Sequence, residues 1–183
     1  MTDISVDIAL DRAEALARRA VRLLGELRRA HNLAAYEFTR AVRIAPLEIP
    51  HSHPVLTLSC RWVDDPDQFL AMYLHEQMHW YLTEYRHRET KAAIEALDGR
   101  YPNRPPAKAE GAQDDYSVLL HLVVNWLEVS ALRALLGEDR ARAAVTPAPA
   151  YPWCYATVRN DWTELGALCT GLGLSPIPDA RRM

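Results

Sequence analysis

A chain of 183 residues, 49% hydrophobic and 25% charged, has the composition of one soluble domain large enough to bury a core. With 21 basic and 24 acidic residues the net charge is -3, so no global field favours nucleic acid or an anionic membrane as a partner. Cys60, Cys154 and Cys169 are odd in number, far apart and without a CxxC pair, which argues against a disulfide framework and against a thiolate zinc site.

The N-terminus carries Asp3 and Asp7 and no apolar run of signal-peptide length, and His121, Asn125 and Glu128 interrupt the longest apolar stretch. A cytoplasmic location is expected. Residues 6 to 30 place Ala13, Leu16, Ala17, Ala20, Val21, Leu24 and Leu27 at spacings of three and four, which predicts an amphipathic helix. Tyr36 to Ile44 nearly alternates apolar and polar residues, as does Val55 to Cys60, and both predict strands. Pro46, Pro50 and Pro54 exclude a helix between them.

Asp64-Asp65-Pro66-Asp67 is a helix start, and the spacing predicts a helix over 66–85. A shorter helix is expected at 89–97, followed by a proline-rich surface excursion from Tyr101 to Gln113. Asp114-Asp115 caps a helix running to Leu136 and stopped by Gly137. A last helix is expected from Trp153 to Thr170, and residues 176–183 read as a disordered tail. Helix, strands, then mostly helices define the α+β class.

Within the helix over 66–85 lies His75-Glu76-Gln77-Met78-His79. Residues four apart on a helix share a face, so His75 and His79 can aim imidazole nitrogens at one ion. Glu76 lies about 100° further round, poorly placed as a ligand beside the histidines but within reach of a water at the metal, as a general base requires. Two imidazoles and a carboxylate among apolar neighbours are costly without partners, and a metal removes that cost. The expected ion is Zn2+.

A catalytic zinc takes three protein ligands and an open position. The helix from 115 to 136 is apolar almost all round, except that His121, Asn125 and Glu128 fall within about 60° of one another. Either Glu128 or His121 can be the third ligand. Glu128 is favoured over His121, as an anionic oxygen at mid-helix, and the other residue, with Asn125, then supports the ligands by hydrogen bonds. His51 and His53 share a face of an extended segment and read as exposed loop residues, and His31 and His87 have no partner signal. Position 85 is Tyr85, which disfavours the metzincin pattern with its third histidine.

On these residues the chain resembles the zincin metallopeptidases, and within them the gluzincins, which combine HExxH on one helix with a glutamate on a later helix. Glu128-Val129-Ser130-Ala131 resembles the ExxA part of the gluzincin ExxAD pattern, with Leu132 where the aspartate stands. The resemblance implies a zincin-like domain over residues 1–175, with a small twisted sheet on the motif helix and an edge strand, Val55 to Cys60, lining the cleft. It also implies a Tyr, His or Arg assisting the reaction, for which Tyr151, Tyr155 and Arg159 are candidates. The expected activity is a zinc-dependent hydrolase acting on a peptide or protein substrate. The alternatives are a non-catalytic protein with a structural or vestigial zinc site, and a regulatory protease-like factor acting on one partner.

Overall fold

The first long element is set by its apolar stripe. In the computed structural model, which describes residues 3–146 and 150–174, helix α1 runs over Asp3–Ala30. It buries Ala20, Leu23 and Leu27 and packs on strand β1 (Val42–Ile44) and helix α2 (Pro66–Trp80). The turn Leu33–Tyr36 that follows is a 3-10 helix.

The expected strand from Tyr36 to Ile44 is reduced to β1. Its first half satisfies its backbone elsewhere: Phe38 and Thr39 donate their N–H groups to Gln77 Oε1 at 2.8 and 3.0 Å, and Gln77 Nε2 donates to the Thr39 carbonyl at 2.9 Å. The buried amide of the motif helix thus takes the place of a neighbouring strand. Strand β2 (Leu56–Leu58) pairs with β1 in parallel, Val42 opposite Leu56 and Ile44 opposite Leu58, while His51 bridges the other side of Thr57. The sheet is two-stranded. β2 is fully buried against α2, and Ile49 to Ser52, not the expected Val55–Cys60, line the cleft described below.

Helix α2 starts as its sequence predicts: the Asp65 carboxylate accepts from Gln68 N at 3.1 Å and Pro66 occupies the first turn. It ends at Trp80, after which Tyr81–Tyr85 widens into a π turn. The Thr90 hydroxyl donates to the Leu82 and Arg86 carbonyls, satisfying backbone left over where the π turn gives way to α3 (His87–Arg100). A four-residue helix, α4 (Ala107–Glu110), lies inside the expected surface excursion.

Helix α5 (Asp115–Leu136) is the axis of the fold. Asp114 caps it through Ser117 N at 2.7 Å, and Gly137, at a φ of 83° that favours glycine, ends it. It touches α2, α3, α4, α6 (Glu138–Val145), α7 (Pro152–Asn160) and α8 (Trp162–Gly171). A window of residues 107–136 is apolar enough to cross a membrane by composition, with mean hydropathy 1.5, but 67% of it is buried, and the surrounding helices account for the apolarity.

Two helical expectations change. α6 follows Gly137 directly; it buries only Ala141, Ala144 and Val145, too few apolar residues to register as a periodic stripe. The single helix over 153–170 is split at Asp161, whose backbone leaves the helical region and whose carboxylate accepts from Tyr101 OH at 2.6 Å. α8 then closes on α5 at Gly166, where a Cβ would lie 3.3 Å from the Trp126 ring. The tail 176–183 lies outside the described residues. The architecture is α+β in general form, mostly helical with one small sheet.

Candidate metal centre

One turn of α2 and one position of α5 converge. His75 and His79 project from α2 and His121 from α5, and one nitrogen from each lies within 4.8 Å of the others. The rings meet at centroid distances of 5.1 Å (His75–His79), 4.7 Å (His79–His121) and 5.5 Å (His75–His121). His79 and His121 are buried and His75 nearly so, its side chain 14% exposed.

The surrounding polar groups select the ring nitrogens. His121 Nδ1 faces the Ser117 carbonyl at 2.7 Å and donates to it, which leaves Nε2 with the free lone pair. His75 Nδ1 faces Glu128 Oε2 at 2.9 Å, and the same oxygen accepts from Tyr155 OH at 2.9 Å. Tyr155, Glu128 and His75 thus form a buried chain that orients one imidazole with its other nitrogen free, the arrangement found behind metal-bound histidines. The group of close donor atoms therefore contains His121, and Glu128 stands behind His75. Glu128, preferred from the sequence as the third ligand, hydrogen-bonds His75 here, and His121, its alternative, supplies the third nitrogen of the close group.

Electrostatics favour lone pairs over protons at two of the three rings. Burial, with the neighbouring rings His75 and His121, holds His79 well below the ordinary histidine range. Burial, with His75, lowers His121 to about 3. Burial also acts to lower His75, but the hydrogen bond and charge of Glu128 outweigh it and raise that group. A cation held by these three rings would displace the His75 proton and give the desolvated lone pairs of His79 and His121 a partner. The donor set fits a metal ion, and three imidazoles suit zinc, copper, iron or nickel.

Glu76 follows His75 on α2, buried, and burial pushes its carboxyl up to about 7. It lines, with the three histidines, a cleft of about 600 Å³. Tyr151 closes one side: its ring stacks on His121 at 3.7 Å and 14°. Its backbone is left-handed, at a φ of 58°. That conformation is held from below by Glu110, which is buried. The Glu110 carbonyl accepts from Tyr151 N at 3.0 Å, and its carboxylate accepts from Trp153 N and Cys154 N at the start of α7.

Of the residues expected to assist the reaction, Tyr151 and Tyr155 line the cleft and Arg159 is exposed on α7 away from it. Asn125 shares its stripe with His121 and Glu128 but is fully buried, and its amide forms no hydrogen bond among the described residues. His51 lines the cleft with Nδ1 at 2.9 Å from the Ile49 carbonyl, and His53 stacks on Trp80. Ser117 and Glu110 carry no sequence signal, because one acts through its carbonyl and the other through a fold contact more than forty positions away. Comparison with protein-family models, curated proteins and solved structures finds no match.

Proposed function

We propose that this protein is a zinc-dependent hydrolase of zincin type, acting on peptides or small amides, with His75, His79 and His121 as ligands and Glu76 as general base. The observation that supports this reading is the convergence of three imidazole donors within 4.8 Å beside a buried carboxylate in one cleft. α5 supplies an imidazole in the role that the gluzincin resemblance assigns to a glutamate. Zinc held by three imidazoles keeps a fourth position open, acidifies water and polarises a carbonyl.

The chain's own residues supply the rest. Glu76, one position beyond His75, takes a proton as water adds to the carbonyl carbon and passes it to the leaving nitrogen as the C–N bond breaks. Burial prepares it for this by raising its carboxyl, and a neighbouring cation brings it back toward the ionised form that accepts a proton. Glu128, held by Tyr155, keeps the His75 ring in its orientation. Tyr151, stacked on His121, shields that ring and borders the substrate space.

The test combines elemental analysis with one variant. Protein purified without added metal should contain about one zinc per chain, and Glu76→Gln should keep that zinc while losing roughly 10²- to 10⁴-fold in peptide hydrolysis. A stable metal-free protein that takes up no zinc overturns the reading. Full activity in Glu76→Gln overturns the role of Glu76.

A further inference from the structure

From the metal centre the cleft follows one face of α2. His75, Met72 and Gln68 succeed one another at spacings of three and four, and all three line it. From position 75 back to 68 the helix covers about 10 Å, the reach of about three extended peptide residues. Ala71 and Met72 of α2 and Ala144 and Val145 of α6 make much of the lining apolar, and Trp62, whose carbonyl accepts from Asp65 N at the start of α2, lies toward the Gln68 end.

Beside Trp62 stands Arg61, the one Lys or Arg among the described residues that line the cleft. The acids around it are engaged elsewhere. Asp64 pairs with Arg19, Asp65 accepts from Gln68, and Asp67 accepts both arms of Arg140 at 2.7 and 2.9 Å. Arg61 forms no ion pair among the described residues, and its guanidinium lies 4.8 Å from the centre of the Trp62 ring. An arginine stacked on an aromatic face keeps its planar N–H edge free for bidentate contact with a carboxylate.

We infer that the cleft takes a short peptide bearing an apolar side chain and, about three residues from the bond cut, a carboxylate bound by Arg61. This rests on the hydrolase reading above. The apolar side chain lies on Ala71 and Met72, and the carboxylate fixes which way the peptide runs along α2. Either a free C-terminus or an Asp or Glu side chain supplies that chemistry.

Three probes distinguish the sources, each a leucine-containing tripeptide with a metal-ligating hydroxamate at one end. The other end is a free carboxylate, an uncharged amide, or an amide preceded by glutamate. Calorimetric titration of the zinc-loaded protein should show at least one charged probe binding roughly five- to tenfold more tightly than the uncharged amide. The charged probe that gains identifies the source. Arg61→Ala, at an exposed position, should erase that preference while leaving zinc content and affinity for the uncharged probe unchanged. Serine in place of the probe's leucine should weaken all three.

Equal binding of the three probes by the wild type overturns the inference, as does a preference that survives in Arg61→Ala. Failure to take up zinc overturns the hydrolase reading and this inference together, and the metal analysis separates that case from the others.

Discussion

His121 and Glu128 lie on one face of α5 about two turns apart, yet they meet different atoms, His121 the other two imidazoles and Glu128 the back of His75. Their variants should therefore differ in kind. Losing a ligand removes a bond to the ion, so His121→Ala should purify without zinc. Losing an outer carboxylate loosens a ring, so Glu128→Gln should bind zinc roughly 10- to 100-fold more weakly while still binding it. Competition against a chromogenic chelator measures both, and zinc retained by His121→Ala but lost from Glu128→Gln would restore Glu128 as ligand. Tyr155→Phe removes one of the two hydrogen bonds on Glu128 Oε2 and should lower stability by about 1 kcal/mol in urea unfolding. At this scale the sequence made two residues legible, because His121 and Glu128 on an apolar helix need partners and have them, whereas the amide of Asn125 on the same stripe forms no hydrogen bond among the described residues. Their order was not legible, since helical phase says which face a residue occupies and nothing about the depth its side chain reaches.

Helix ends were the most legible features at the level of elements. Asp65 with Pro66, Asp114 and Gly137 act through backbone groups of their immediate neighbours, so local sequence suffices. Strands fared worse, because a strand exists only where something pairs with it, and Phe38 and Thr39 found the Gln77 side chain instead. The start of α7 depends just as much on a distant partner. Glu110→Ala leaves the part-buried N–H of Trp153 and the buried N–H of Cys154 without that acceptor and should lower stability by about 2 kcal/mol. Glu110→Gln, which retains one acceptor oxygen, should lose less. Both variants keep the Glu110 carbonyl that accepts from Tyr151 N, but Glu110→Ala frees the chain just after Tyr151, so it should also raise KM or weaken hydroxamate binding, a change that a remote stability defect does not produce.

For the whole molecule, the proposed metal binding and proton binding are linked. His79 and His121 have native pKa values below the unfolded value, so below about pH 6.5 the unfolded chain takes up protons that the metal-free native state refuses. Their contribution is present above that pH and is lost as the pH falls. Glu76 has the opposite sign: its native carboxyl, near 7, holds a proton that the unfolded chain releases at lower pH, so its contribution is lost as the pH rises from the ordinary carboxyl range to about 7. Urea midpoints of metal-free protein should therefore rise between about pH 5 and 6.5, and more steeply in Glu76→Gln, where the opposing group is gone. Zinc at about 100 times its dissociation constant should add about 2.7 kcal/mol near neutral pH, an increment that a chelator removes and acid diminishes. The sequence by itself determined the α+β class in general form, the capped starts of α2 and α5, and the polar stripe of His121 and Glu128, since periodicity and capping are local rules. Tertiary structure alone decided that His121 joins the group of close donors while Glu128 stands behind His75, that Glu110 holds the backbone at Tyr151, and that Arg61 lines the cleft. Each of those facts depends on how far apart two packed elements lie, a distance that no spacing along the chain encodes.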